Sequence, residues 1–321
     1  MFKKLYLTYN SNVLEDGYFS QLQRQMAIYA IAKKYGLSYY YTPISNVTIT
    51  PLDPYQTKTE EENYISRYNE IYNFAEDSKK IKFTRTVEIH TLTFYSIFKE
   101  GFRSIFYPGK VLIKIVIPYQ IIEKAPENYA YAVDHVLSSF KPVKNKSTIV
   151  MHIRKGCLES HVTPGENSPR ALSTQYFISV LNYMLESKIQ LQSASLTIVT
   201  DAPENDFYYK PISEQKYLWE QFNYLENING IKVSGHSLNE IREYFPGEVN
   251  IIRGGDAQVA VSIMRVADYL IMSRSSMSYI GALLNTTGTI YYPPDFWHKP
   301  LKKWIKVSSF IDFNFKKLNT K

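Results

Sequence analysis

From residue 147 to residue 292 the sequence alternates short, β-branched apolar runs with segments of helical periodicity, a rhythm that constrains the fold more than any other feature. The runs are STIVMHI, SLTIVTDAP, GIKVSGH, VNIIRG, DYLIMSRSS and GTIYYPP. Between them the spacing predicts helices over 174–186, near 213–225, in DAQVAVSIMRVA and in SMSYIGALLN. Each run is too short for a helix and too uniformly apolar for a half-exposed strand. Each therefore predicts a strand buried on both faces, as in a parallel sheet flanked by helices. The expected class is α/β with a doubly wound sheet, in which ligands bind at the carboxyl ends of the strands.

The first half repeats the theme less regularly. KLYLT predicts a strand, GYFSQLQRQMAIYAIAKKYG a helix with Ser20 as N-cap and Gly36 just past its end, and LSYYYTPI a second strand closed by its proline. Residues 57–78 carry helical periodicity, IKFTRTVEIHT and GKVLIKIVIPY read as strands, and PENYAYAVDHVLSSF reads as a helix. A polar, proline-containing connector over 141–147 marks a domain boundary. A chain of 321 residues has room for two cores. The expectation is an N-terminal domain over 1–143, a second domain over 146–298, and a tail over 299–321 packing back on the body. The 28 Tyr and 17 Phe supply apolar area, and the tyrosines add polar tips suited to a wet cleft.

Charge narrows the partners. The formal net charge is +7, but residues 299–321 hold seven Lys and one Asp, so the body is close to neutral. A nucleic-acid groove would spread Lys and Arg over a continuous surface, so nucleic acid is not an expected partner. The tail mixes its lysines with Trp304, Ile305, Phe310 and Phe313, a composition suited to peripheral contact with anionic lipid headgroups. The single Cys157 excludes an internal disulfide and fits a reducing compartment. With no stretch of signal-peptide or transmembrane length, a soluble, cytoplasmic protein is expected.

Polar residues gather where the strands of the second half end: His152 to Lys155, Thr200 and Asp201, Arg253 to Asp256, and Arg274 to Ser278. Ser275, Ser276 and Ser278 stand between a buried strand and a helix, where hydroxyls, backbone N–H groups and the helix dipole favour phosphate; a serine there is equally an ordinary N-cap. Arg154 offers a rigid fork for a phosphate, or for a structural ion pair. Asp256 and His152 together suit the edge of a purine such as guanine, although Asp256 also stands where DAQVAVSIM needs an N-cap. The sequence lacks GxxxxGK[ST], GxGxxG after its first strand, HExxH, GxSxG and Cys/His metal spacing. It also lacks an Asp-x-Asp pair, so a bound diphosphate would rely on protein cations and dipoles rather than on a metal, and no metal or cofactor is expected.

Three segments, in order, resemble the alpha-1,2-fucosyltransferases and their relatives. DGYFSQLQRQMAIYAIAKKYGLSYYY resembles their N-terminal glycine turn and helix, VMHIRKG their His-x-Arg-Arg-Gly motif, and DYLIMSRSSMSYIGALLN their late serine-rich segment. The resemblance spans roughly residues 5–292 in outline. It implies a GT-B fold: two Rossmann-like domains facing across a cleft, the N-terminal one on the acceptor side and the C-terminal one binding a nucleotide sugar. It implies that Arg154 neutralises the donor's β-phosphate, that His152 helps hold guanine, that Ser275 and Ser276 contact the phosphates, and that Asp256 reads the base. Gly17 matches the first glycine of the family's turn; Phe19 replaces the second, Ser20-Gln21 replaces an Asn-Gln pair, and Cys157 stands where an Asp often follows. The implied activity is inverting, metal-independent transfer of a sugar, most simply fucose, from a GDP-sugar to a glycan hydroxyl. Glu159, His161 and Asp201 are candidate bases near strand ends and Asp16 a candidate from the N-terminal domain, with proton transfer to the departing phosphate as the other route. The alternatives are another nucleotide sugar on the same fold, or a carbohydrate- or nucleotide-binding protein without turnover.

Overall fold

A computed structural model describes residues 4–11, 16–45, 47, 58–75, 81–106, 109–138, 140, 148–154, 172, 174–200, 237–253 and 257–307. Its strands form two sheets, and every pairing in both is parallel. The chain divides into two compact units, one built on each sheet. Two Rossmann-like α/β units agree with the expected GT-B class.

The first unit holds β1 (Leu5–Tyr9), α1 (Tyr18–Lys34), β2 (Ser38–Tyr39), α2 (Lys58–Ile71), β3 (Arg85–Thr91), α3 (Phe94–Phe106), β4 (Val111–Ile117), α4 (Tyr119–Ile122) and α5 (Ala130–Leu137). Its strand order is β2-β1-β4-β3. β1 and β4 occupy the middle and are buried almost throughout, as their unbroken apolar runs require; β3 lies at the edge and alternates between half-buried and exposed. Helix α1 is buried on nearly all sides from Tyr18 to Ala32. It ends where the sequence predicts: Gly36 takes φ +64°, its N–H reaches the Lys33 carbonyl at 3.3 Å, and the Leu37 N–H reaches that of Ala32 at 2.8 Å. Those two bonds satisfy carbonyls the last turn would otherwise leave open, and the left-handed φ suits a residue without Cβ.

Two local expectations are corrected. The N-cap of α1 is Gly17, not Ser20, which lies inside the first turn; the Gly17 N–H is held by Asp16 Oδ1 at 2.8 Å. The helix expected from PENYAYAVDHVLSSF is split into a 3-10 turn over Pro126–Tyr129 and α5. Some of the aromatic residues serve as core: Tyr18, Phe19, Tyr68 and Tyr72 are buried and meet edge to face or tilted, with ring centroids 5.1–6.4 Å apart. These packed rings take the place that aliphatic side chains fill in most cores. Helix α3 is an addition to the expected elements.

The second unit holds β5 (Ile149–Ile153), α6 (Thr174–Glu186), β6 (Ser195–Thr200), α7 (Ser237–Tyr244), β7 (Glu248–Arg253), α8 (Ala257–Met264), β8 (Tyr269–Ile271), α9 (Ser276–Leu284), β9 (Thr289–Tyr292) and β10 (Ile305–Lys306). The strand order is β10-β9-β8-β5-β6-β7. The predicted helix near 213–225 and strand GIKVSGH lie outside the described residues. Ile149, Met151 and Ile153 of β5 pack with Phe177, Leu181 and Met184 of α6 in one core. Before adding β10 to this sheet, residues 298–302 run with the first unit, where His298 Nδ1 lies 3.1 Å from Glu123 Oε1 and the Lys302 N–H meets Glu127 Oε1 at 3.2 Å.

Candidate functional site

The order of the second sheet locates a site before any side chain is considered. From β5 the chain steps outward to β6 and β7, then returns to place β8 on the other flank of β5. The sheet therefore changes direction between β5 and β8, and the crevice outside the carboxyl ends of such a strand pair is where doubly wound sheets bind ligands. Register sets Ile149 beside Tyr269, Val150 beside Leu270 and Met151 beside Ile271. The two strands thus deliver His152, Ile153 and Arg154 on one side, and Met272, Ser273 and Arg274 on the other.

A buried bond joins the two ends: Ser273 Oγ and His152 Nδ1 are 3.0 Å apart, with both residues at most 2% exposed. Burial, and secondarily the positive charge of Arg154, push the His152 pKa down to about 3. The imidazole is thus neutral, with one nitrogen donating and the other accepting. Its surface is spent on the strand ends. Arg154, by contrast, is half-buried, and among the described residues it has neither a hydrogen-bond nor an ion-pair partner. A guanidinium in that position is available to an anion.

Ser275 is the N-cap residue of α9, in extended backbone at φ −143° and ψ 138°, yet its hydroxyl makes no capping bond. The cap-only alternative accordingly has no hydrogen bond behind it. Ser278 is fully buried and its Oγ accepts the Ser273 N–H at 3.1 Å, while the Ser275 N–H donates to the Ser273 carbonyl at 2.9 Å. Ser278 therefore shapes the turn from within, whereas Ser275 and Ser276 stand at the helix start, where backbone N–H groups lack helical acceptors and the dipole is positive. Arg274 points elsewhere: its Nε donates to the Pro294 carbonyl at 3.0 Å, and Nη2 lies 3.8 Å from Asp295.

Sequence reasoning singled out Arg154, His152, Ser275, Ser276 and Ser278, and the sheet order brings all five to one pair of strand ends. It missed Ser273 as the partner of His152. A serine closing a buried strand was the available signal, but only strand adjacency reveals its histidine. Glu159, His161, Asp201 and Asp256 lie outside the described residues, as do Lys155 and Cys157.

In the first unit, Gly17 closes the turn between β1 and α1. A Cβ added there would meet no heavy atom within 4 Å, so open space adjoins this backbone. Beside it, Asp16 pairs with Arg24 at 2.7 Å, and Arg24 also lies 3.4 Å from the Tyr9 hydroxyl. Phe19, in place of the family's second glycine, is buried among the rings described above. The departure from the glycine turn thus has a packing role.

No protein-family model matches the chain, and no curated protein matches it by sequence. Among solved structures, it is similar to the E. coli heptosyltransferase WaaC with ADP-2-deoxy-2-fluoro heptose, at 10% identity over 94% of this chain and 91% of that one, with TM-score 0.36. POFUT1 in complex with GDP is 11% identical over 90% of this chain and 97% of its own, with TM-score 0.42. A mutant of Arabidopsis thaliana FUT1 in complex with GDP is 10% identical over 94% and 72%, with TM-score 0.40.

Proposed function

We propose that this chain is an inverting, metal-independent glycosyltransferase that moves a sugar, fucose before others, from a GDP-sugar to a hydroxyl of a glycan. The observation that carries the reading is Arg154, which has no hydrogen-bond or ion-pair partner among the described residues, beside the start of α9, where the Ser275 hydroxyl makes no capping bond, at the point where the second sheet changes direction. The ordered family motifs add the donor class. As an acceptor hydroxyl attacks the anomeric carbon, the bond to the β-phosphate breaks and charge grows on the leaving diphosphate. Arg154 and the positive end of the α9 dipole at Ser275 and Ser276 meet that charge more strongly in the transition state than in the bound donor.

His152 is assigned a positioning role: by bonding Ser273 it ties the ends of β5 and β8 and sets the spacing from Arg154 to α9. Asp256 reads the base, and Glu159 or Asp201 takes the acceptor proton; these three roles rest on motif and strand-end position alone.

The test is mass-spectrometric detection of transfer from a panel of GDP-, UDP- and ADP-sugars to glycan acceptors, with chelator present, alongside a thermal-shift screen of the free nucleotides. GDP should raise the melting temperature most, because a ligand that binds only the native state stabilises it by mass action. Arg154→Ala should lower turnover by roughly 100-fold or more, the size of losing a principal charge-stabilising group. Near-normal turnover in that variant would sink its assigned role. Binding of GDP without transfer to any acceptor would favour the turnover-free alternative.

A further inference from the structure

Helix α3 is turned inside out. The face it lays on its own sheet carries Ile97, Glu100, Gly101 and Ser104, all buried. The face it shows to solvent carries Tyr95, Phe98, Phe102, Ile105 and Phe106, each between 53% and 74% exposed. An amphipathic helix of a soluble domain has the opposite arrangement. Five large apolar side chains along one stripe make a continuous patch rather than the scattered exposure common on protein surfaces.

The charged side chains that α3 itself turns outward have one sign. Glu100, the only acid of α3, sits on the inner face and is held there by Arg85 and by Arg103, whose Nη1 is 3.0 Å from Oε1. No carboxylate of the helix therefore reaches its outer surface. Lys99 and Arg103 flank the stripe and are exposed. At its first turn the Phe94 ring meets Tyr35 at 5.3 Å and lies under Lys124, whose Nζ is 5.9 Å from the centroid. Lys34, adjacent to Tyr35 in the chain, is exposed as well. On β3 the one acid, Glu88, lies three residues from Arg85, an odd spacing that puts it on the sheet face opposite the one from which Arg85 reaches α3, and there it pairs with Lys114 at 3.7 Å.

We propose that the outer face of α3 is a membrane-docking surface. It lies along an anionic bilayer, with Tyr95, Phe98, Phe102, Ile105 and Phe106 entering the headgroup boundary while Lys34, Lys99, Arg103 and Lys124 meet lipid phosphates. Aromatic rings favour that boundary, and basic side chains beside an apolar stripe are what an anionic surface attracts. Length agrees: the 13 residues of α3 span about 20 Å, enough to lie on a bilayer and too short to cross it. A second copy fits less well, because a symmetric pairing of this face would oppose the two basic rims with no acid of α3 between them. This site is distinct from the basic tail of residues 299–321, and the docking surface does not depend on the glycosyltransferase reading.

The experiment is flotation of the full chain with vesicles of phosphatidylcholine alone and with 30% phosphatidylglycerol, a composition set here as roughly that of an anionic membrane. We expect binding to the anionic vesicles to exceed that to the neutral ones at least tenfold. The variant Phe98→Gln/Phe102→Gln/Phe106→Gln, which changes only exposed positions, should retain the wild-type circular dichroism and lose at least tenfold in binding. No binding of the wild type to either vesicle, or equal binding by the triple variant, would overturn the proposal; so would loss of binding only when residues 308–321 are removed. Light scattering provides the remaining arm: self-association abolished by the triple variant, with no vesicle binding, would assign the face to a second copy and refute the lipid surface.

Discussion

Lowering the pH should destabilise the second unit through His152, and the size of the effect follows from its burial. In the unfolded chain an imidazole titrates near its ordinary value of about 6.5; in the folded protein the same group is held neutral down to about 3. Between those values the unfolded state binds a proton that the folded state refuses, so stability is full above 6.5 and falls as the pH drops toward 3. From pH 7.5 to pH 5.0 the loss attributable to this one group is about 2 kcal/mol, one and a half decades at about 1.4 kcal/mol each. The comparison is His152→Asn, whose amide can reach Ser273 but does not titrate. Urea unfolding followed by tryptophan fluorescence reads the relevant unit, because Trp297 and Trp304 belong to it and the first unit contains no tryptophan. Contributions from other titrating groups are common to both proteins and cancel, and stopping at pH 5.0 keeps most carboxylates out of the window. Wild type should lose about 2 kcal/mol more than His152→Asn over this range. Parallel pH curves, within about 0.5 kcal/mol, would mean that His152 takes up its proton equally in both states. The buried bond to Ser273 could not then be as described.

Two further substitutions test the packing that holds the site. Asn285 is fully buried; its Nδ2 donates to the carbonyls of Met264 and Ala267, both at 2.9 Å, and its Oδ1 accepts the Gly288 N–H at 2.7 Å. Asn285→Ala strands three backbone groups and should cost on the order of 3 kcal/mol in urea unfolding, whereas a loss below about 1 kcal/mol would mean that water replaces the amide. At Gly281, a Cβ would stand 2.8 Å from the Met264 Cβ of the adjacent α8. Gly281→Val should therefore cost about 2–3 kcal/mol, as overpacking of a tight helix contact does, and an unchanged urea midpoint would show that α8 and α9 can separate freely.

How much of this was legible beforehand differs between the two units for a physical reason. A strand buried on both faces must be largely apolar, so IVMHI and SLTIVT announced themselves without any knowledge of their neighbours. The same logic exposed the site, because polar residues can follow such strands only where the sheet ends. Which face of α3 meets the sheet was not legible: Glu100 is inside and Phe102 outside, and periodicity cannot say which face of a helix is buried. The 3-10 turn at Pro126–Tyr129 and the start of α1 at Tyr18 were likewise decided by local geometry beyond pattern.

The amino-acid sequence by itself determined the α/β class, the places where buried strands give way to polar side chains, and the charge balance between body and tail. Each of these depends only on chain composition and its period. The tertiary structure alone decided that β8 returns to the flank of β5, that His152 bonds Ser273 while Arg154 has no partner among the described residues, and that the aromatic face of α3 looks outward. Those facts join residues more than a hundred positions apart, or choose between two faces of one helix. Only the packing of the whole chain sets either.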